Sequence, residues 1–359
     1  MNGGSVTNTS ATLGSGTGSN GTATATSGTW TNSGSLTVGS SGTGTLTMSG
    51  GLVTVGGTLS TGTYGTIHLN AGGTLQIGVG GTTGVLLGGT GSLTNNGTLV
   101  FNRGNASTYS GVLSGSGSVV KRGAGTFTLS GASSLSGPTT IEQGTLVIAN
   151  AAALSASAIT PLAGGTLSVP PNLQASVGGL NPNAGGLVDV GTGMVTVAQG
   201  LTPAALVTAI LTGRGDGSWN GTSGITSSAA ATDVASGIPR AVGWLDNGDG
   251  SMTAAFAAPG DTNIDWVVDV LDAGNFLTFG KYDTGLPATW LEGDFNYDGV
   301  VDVLDASEFF GTGLYDTGNY NTPAGASGIA AVPEPSVLGM FGVGVVAVGS
   351  MAMMRKRVG

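Results

Sequence analysis

The chain has 359 residues, enough for two or three domains, but 70 of them are glycine and only 8% are charged. This composition argues against a compact helical enzyme. The nine Lys and Arg form no basic stripe in a chain of formal net charge −10, which argues against nucleic-acid binding.

The first 200 residues are built mainly from Gly, Ser and Thr. Residues 1–27 hold few apolar positions and are expected to form a low-complexity end. Over 28–200 a short phrase recurs, in which Gly and a small polar residue precede alternating apolar and polar positions. Examples are Gly34-Ser35-Leu36-Thr37-Val38 and Gly73-Thr74-Leu75-Gln76-Ile77. Such alternation predicts half-buried strands, and the spacing of the phrases favours a parallel β-solenoid, although an antiparallel sandwich or barrel could use the same strands.

One stretch of these phrases has a recognisable family pattern. Gly123-Ala124-Gly125-Thr126-Phe127-Thr128-Leu129-Ser130-Gly131, continuing to Gly144-Thr145-Leu146-Val147, resembles the autotransporter-associated β-strand repeat. The resemblance covers about Gly111 to Asn150. It implies a right-handed parallel β-helix in an exported bacterial surface protein, and it implies no chemistry.

Residues 201–258 change character and are expected to form a small linking or cap region. Thr202 followed by Pro203 is a typical helix start, so a helix is predicted from there to Leu211. The glycines after it end the helix, and Ser251 to Phe256 has the pattern of a strand.

Residues 259–320 contain two twelve-residue loops that repeat each other 33 positions apart. Loop positions 1, 3, 5, 7, 9 and 12 are Asp261, Asn263, Asp265, Val267, Asp269 and Asp272 in the first loop, and Asp294, Asn296, Asp298, Val300, Asp302 and Asp305 in the second. Six oxygens at these positions, the seventh position giving its backbone carbonyl, suit Ca²⁺. The sequence predicts two Ca²⁺ sites. The carboxylates repel one another without the cation, so calcium should drive folding of this module.

This pattern resembles the type I dockerin, a paired calcium-loop-and-helix module that docks onto cohesin domains. Position 6 is Trp266 in the first loop and Gly299 in the second, so the first site is expected to be weaker, or Trp266 packs as a hydrophobic clasp. The family's recognition positions correspond to Val270-Leu271 and Val303-Leu304. These are apolar in both copies, and packing within the module is favoured over a cohesin-like partner.

The end of the chain has the features of a sorting signal. After a linker at 321–332, Pro333-Glu334-Pro335 precedes an uncharged stretch from Val337 to Met354, and Arg355-Lys356-Arg357 follows. The uncharged stretch predicts a transmembrane helix with the basic cluster in the cytoplasm. The whole of 333–359 resembles the PEP-CTERM signal, which implies export, transient anchoring in the inner membrane and removal by an exosortase-type enzyme. Such a signal requires a signal peptide, so the true start is expected upstream of Met1.

These observations favour an exported, non-enzymatic structural protein of the cell surface or extracellular matrix. One alternative is a dockerin-mediated module that binds a protein or an extracellular polysaccharide. A second is a β-helix enzyme acting on polysaccharides, which needs paired carboxylates or a basic residue near a carboxylate. Its only candidates in the solenoid are Glu142, Asp189, Lys121 and Arg122.

Overall fold

Strands dominate the computed structural model, which describes residues 1–89 and 91–321. Residues Met1–Asn321 form one compact unit. The sorting signal and membrane helix expected at 333–359 lie outside the described residues. Within the described ranges, no helix is long and apolar enough to cross a membrane.

The elements are as follows in chain order. The strands are β1 (Asn2–Asn8), β2 (Ala11–Leu13), β3 (Asn20–Ala25), β4 (Ser27–Asn32), β5 (Leu36–Val38), β6 (Thr43–Met48), β7 (Leu52–Val55), β8 (Thr58–Thr61), β9 (Gly65–Leu69), β10 (Thr74–Ile77), β11 (Val85–Leu87), β12 (Ser92–Asn95), β13 (Thr98–Asn102), β14 (Ser107–Tyr109), β15 (Ser114–Gly115), β16 (Ser118–Arg122), β17 (Thr126–Leu129), β18 (Ser134–Leu135), β19 (Thr139–Ile141), β20 (Gly144–Ile148), β21 (Leu154–Pro161), β22 (Gly165–Ser168), β23 (Gln174–Leu180), β24 (Leu187–Asp189), β25 (Met194–Val197), β26 (Gly224–Thr226), β27 (Ala241–Asp246) and β28 (Met252–Ala257). The helices are α1 (Pro203–Arg214), α2 (Ser228–Ala235), α3 (Val270–Thr278) and α4 (Val303–Gly311), with a 3₁₀ turn at Trp290–Glu292.

The strands stack as a β-solenoid of about nine turns. The longest sheet has the order β1-β4-β7-β10-β13-β16-β19-β21-β23-β25-β28-β27, and its pairings are parallel from β1 to β25. Three smaller sheets, also of parallel strands, stack in the same sense, and the first rung already begins at Asn2. The parallel solenoid is therefore confirmed, and the antiparallel sandwich or barrel is wrong.

Apolar residues in register form the core of the stack. Val53, Leu75, Leu99 and Val119 occupy equivalent positions on four successive strands, and all four are fully buried. Strand neighbours lie about 4.8 Å apart, so each side chain packs directly on the one below. The Thr and Ser positions between them are largely half-buried or exposed. Period-two alternation in the sequence therefore becomes an inside and an outside in the solenoid.

Corner glycines let successive turns approach closely. A Cβ on Gly62 would lie 1.8 Å from the carbonyl oxygen of Gly39, and one on Gly89 would lie 1.7 Å from that of Thr61. No side chain fits at such a distance from a backbone oxygen. The glycine content of the chain thus follows in part from stacking.

The four residues considered for polysaccharide chemistry have separate placements. Lys121 is 1% exposed, and its Nζ donates to the carbonyl oxygens of Gly123 and Gln143 at 2.7 and 2.9 Å. Burial lowers the pKa of the Lys121 ammonium to about 8. Arg122 makes an ion pair with Glu142 on the surface at 2.5 Å. Asp189 accepts from the backbone N–H of Ser228 at the end of the stack. These residues hold rungs and turns in place.

The end of the solenoid that follows β25 is closed by a cap. Strand β28 pairs antiparallel with β25 and with β27, so the last parallel edge is covered. The predicted helix is confirmed as α1, whose first turn is capped by Thr202 Oγ1 accepting from the N–H of Ala205. This cap carries the two loops.

Candidate metal centre

The two predicted loops adopt one backbone geometry. Helices α3 and α4 start at equivalent positions, after the N-caps Asp269 (φ −139°, ψ −163°) and Asp302 (φ −140°, ψ −162°). In each case the carboxylate three residues on, Asp272 or Asp305, completes a capping box. An Asp N-cap accepts from the free N–H groups of the first turn, which explains why both helices begin at position 10 of their loop.

Positions 9 and 12 are therefore tied together within each loop. Asp272 is fully buried, and its two carboxylate oxygens accept from the N–H groups of Thr262 and Asp269 at 2.8 and 2.9 Å. Asp305, also fully buried, accepts equivalently from Phe295 and Asp302, both at 2.9 Å. These bonds bend each loop back on itself.

Positions 3 and 5 are in direct contact within each loop. The amide oxygen of Asn263 accepts from the N–H of Asp265 at 3.0 Å, and that of Asn296 accepts from Asp298 at 2.8 Å. The Asn263 amide also donates to the Asp265 carboxylate at 2.9 Å. These hydrogen bonds link positions 3 and 5 of each loop.

A buried carboxylate oxygen of the second loop has no hydrogen-bond partner. Asp294 is 5% exposed; its Oδ2 accepts from the N–H of Gly299 at 3.0 Å, but its Oδ1 accepts from no group. Burial, reinforced by the charge of Asp305, raises the pKa of Asp294 to about 7. Burial likewise raises the pKa of Asp261 to about 7, even though Tyr320 donates to it at 2.5 Å. An unpaired, buried carboxylate oxygen fits a site for a cation.

The donor set is mixed in kind. In the described part of the chain, no three His, Cys, Asp or Glu side chains form a group able to hold a metal ion by themselves. Each loop adds to its carboxylates an Asn amide oxygen and the main-chain carbonyl of Val267 or Val300. Such hard oxygen donors suit Ca²⁺ and do not suit Zn²⁺ or copper. The residues present therefore fit the predicted ion.

Each loop is completed by the other half of the repeat. Val268, at position 8 of the first loop, forms a parallel bridge with Tyr315, which follows α4. Val301, at position 8 of the second loop, bridges to Tyr282, which follows α3. This reciprocal exchange makes residues 261–316 a single module with two interdependent loops.

Non-ligand positions of the loops fasten the module to the solenoid cap. Trp266, at position 6 with φ 68°, donates from its indole Nε1 to the carbonyl oxygen of Phe256 in β28 at 3.0 Å. Tyr297, at position 4 of the second loop, donates to the carbonyl oxygen of Val242 in β27 at 2.8 Å. Trp266 is thus a clasp between the first loop and the cap.

Trp290 and Tyr320 add contacts that the sequence reasoning did not assign. The fully buried Trp290 donates to the carbonyl oxygen of Asp261 at 2.7 Å and packs edge-on against Phe295. The Tyr320 hydroxyl, which donates to Asp261, also accepts from the N–H of Ala258 at 2.9 Å. The repeat of the two loops offered no signal for these contacts, because Trp290 and Tyr320 lie outside both twelve-residue loops.

The loop-exit residues have a different environment from the one expected. Val270, Leu271, Val303 and Leu304 are 69, 62, 67 and 57% exposed. The packing within the module that was favoured for them is wrong. They lie in the first turns of α3 and α4. The Asp residues that precede these turns bond to the helix backbone in the capping boxes, whereas the four apolar side chains face solvent.

Comparison with known proteins identifies part of the solenoid. Residues 119–148 match the passenger-associated-transport-repeat family. The matched passenger-associated repeat runs from β16 to β20 and confirms the resemblance drawn for this stretch. A β-solenoid carrying this repeat is consistent with an exported structural protein of the passenger type. No curated protein and no solved structure matches the chain.

Proposed function

We propose that this chain is an exported, non-enzymatic structural protein of the cell surface or extracellular matrix. Its β-solenoid is closed by a cap, and the cap carries a calcium-binding module. The observation that carries the calcium role is the Asp294 Oδ1 atom, buried without a hydrogen-bond partner inside a loop of hard oxygen donors. The passenger-associated repeat supports export. The PEP-CTERM resemblance of 333–359 supports transient membrane anchoring and exosortase processing.

In this proposal calcium acts as a structural ion. It neutralises carboxylates that are buried near one another, and it holds the two loops in the conformation in which Trp266 and Tyr297 reach the cap. The cap in turn covers the last edge of the longest sheet. Calcium therefore stabilises the junction between the stack and the module, as disulfides do in other exported proteins.

Isothermal titration of the metal-free full chain with calcium tests the proposal. We expect two binding events, the weaker one at the first loop. Asp294→Ala should abolish the event of the second loop, because it removes the unpaired oxygen. The matched control is Asp249→Ala, an exposed acidic residue outside both donor sets, which should leave both events in place. Absence of calcium binding by the unaltered chain would refute the structural-ion role.

A second candidate function, docking of a protein partner through the dockerin-like helices, is favoured by their exposed apolar face. Besides the loop-exit residues, Leu277 and Phe310 are 69 and 73% exposed at equivalent positions of α3 and α4. Apolar side chains grouped in this way are typical of an interaction surface.

Retention of the full chain on immobilised cohesin tests this second function. Retention is expected in calcium and not in chelator, and Val303→Asp combined with Val270→Asp should remove it. The control Ser307→Asp adds a charge to α4 outside the loop-exit positions. Equal retention of the double variant and the unaltered chain would count against docking through these residues.

A further inference from the structure

A cavity of about 400 Å³ is bounded by α3, α4 and the turns that follow them. Its volume is within the range of small-molecule sites in proteins, roughly 300–1,000 Å³. The lining consists of four pairs of equivalent positions in the repeat, which are Ala273 and Ala306, Phe276 and Phe309, Leu277 and Phe310, and Tyr282 and Tyr315. Five of these eight side chains are aromatic and none is charged.

The five aromatic rings stand at different inclinations around the cavity. Phe276 and Phe309 are buried, with their ring centroids 5.7 Å apart and their planes at 29°. The Tyr282 ring is tilted by 58° against Phe276. The Tyr315 and Phe310 rings are tilted by 51° and 80° against Phe309, and both are largely exposed. Rings inclined in this way can present several π-faces to one ligand.

This arrangement of rings favours a positively charged ligand. The face of an aromatic ring attracts a cation that lies within about 6 Å of the ring centroid. Neighbouring ring centroids in the cavity lie 5.0 to 6.3 Å apart, so a cation among them can reach more than one ring. A neutral apolar molecule would gain only from burial of its surface.

The charge of the surrounding module acts in the same direction. Residues 261–316 contain twelve acidic residues and one basic residue, so two bound Ca²⁺ ions still leave an excess of negative charge. Asp283 and Asp316 are exposed and directly follow the lining residues Tyr282 and Tyr315. The basic residue, Lys281, is paired with Glu292 at 3.6 Å. The potential around the cavity therefore attracts cations and repels anions.

The polar atoms of the lining decide the kind of cation. The only polar atoms of its eight side chains are the hydroxyl oxygens of Tyr282 and Tyr315. A primary ammonium brings three N–H donors and a guanidinium brings five, so either would leave donors without acceptors in the cavity. A quaternary ammonium has no N–H donor. Its methyl groups suit the apolar surfaces of Leu277, Ala273 and Ala306.

We propose that this cavity binds a small molecule that carries a trimethylammonium group. The cation contacts the rings of Phe310, Tyr282 and Tyr315 above the buried Phe276 and Phe309. The site contains none of the calcium ligands and none of the loop-exit residues. The binding of such a ligand is therefore separate from both functions proposed above, although the cavity borders the exposed face of α3 and α4.

Saturation-transfer NMR on the calcium-loaded full chain tests the inference, with choline as the probe. The matched ligand is the neutral analogue of choline in which a tert-butyl group replaces the trimethylammonium group, so the shape is kept and the charge is lost. Choline is expected to bind at least about tenfold more tightly than this analogue, because only choline gains cation–π attraction. Ethanolamine, a primary ammonium, should also bind at least about tenfold more weakly than choline, because its N–H donors find too few acceptors.

Phe310→Leu tests the rings without a large change in packing. It gives the second half of the repeat the residue that the first half has at Leu277. Choline binding should weaken by about fivefold, because one ring is lost. The thermal melt should be retained, because Phe310 is 73% exposed. The matched control is Tyr64→Leu, which removes a 61% exposed ring from the solenoid and should leave choline binding unchanged.

Three results would each overturn the proposal. Equal binding of choline and its tert-butyl analogue would show that the cavity takes apolar molecules without regard to charge. Ethanolamine binding as tightly as choline would assign the cation to the surface carboxylates. Full choline binding by a folded Phe310→Leu variant would show that the rings of the cavity do not hold the ligand.

Discussion

Removal of calcium from the full chain should make the backbone amides of β27 and β28 exchange faster with solvent. This is expected although neither strand contains a proposed calcium ligand. The reason is that Tyr297 and Trp266 bond these strands from within the loops. Each bound ion stabilises the folded state by about 2.7 kcal/mol when free calcium is about a hundredfold above the dissociation constant. The free energy lost with two ions is therefore a large fraction of the unfolding free energy of a protein region this size. Exchange measured by mass spectrometry in calcium and in chelator checks the expectation.

Strand β10 (Thr74–Ile77), in the middle of the stack, is the internal control. Its exchange should be the same in both conditions, because solenoid turns interact only with their neighbours. Faster exchange confined to residues 261–316, with β27 and β28 still protected, would show that the module unfolds without loosening the cap. That outcome would contradict the structural role proposed for the ion.

Truncation of Trp290 should destabilise the junction more than any other single change to the module. Trp290→Ala removes a fully buried ring that packs against Phe295 and lies over Gly243, and it leaves the carbonyl oxygen of Asp261 without its donor. Truncation of a buried aromatic residue costs about 3–5 kcal/mol. Urea unfolding of the calcium-loaded full chain, followed by far-ultraviolet circular dichroism, should show an early transition that involves the cap.

Two further variants separate packing from hydrogen bonding in this effect. Trp290→Phe keeps most of the ring volume and loses only the indole donor, so its cost should be intermediate. Phe310→Ala removes an aromatic residue of the same module that is 73% exposed, and its effect should be within about 0.5 kcal/mol. If Trp290→Ala behaved like Phe310→Ala, the buried ring would not hold the module to the cap.

The solenoid was predictable because the alternation of apolar and polar residues that specifies each strand lies within a few consecutive residues. Residues such as Leu46 and Leu75 alternate with polar neighbours, and a parallel stack is the arrangement that places equivalent phrases in register. Sequence alternation could not predict that Lys121 occupies a core position, between Phe101 and Ile141 of adjacent strands. Its ammonium is accommodated by two carbonyl oxygens of a corner, and that arrangement depends on the path of the backbone there.

The loops show the same division between local and tertiary information. The proposed ligand positions rest on side-chain type and spacing, and the capping boxes of Asp269 and Asp302 are formed by the same residues. The packing of the module against the cap depends on contacts between distant parts of the chain. An example is the hydrogen bond from the Tyr297 hydroxyl to the carbonyl oxygen of Val242, 55 positions away. The exposure of Leu271 and Leu304 was also missed, because an apolar residue after a cap can face either way until the neighbouring element is known.

The close approach at corners such as Gly62 and Gly89 makes one turn of the stack resemble the next in its main-chain surface. A turn gained or lost by recombination between similar phrases would present the same surface to its neighbours and would leave the capped end unaltered. Each such event would change the reach of the stack by about 4.8 Å. The reach of the stack is thus set by the number of its turns, in steps of one strand spacing.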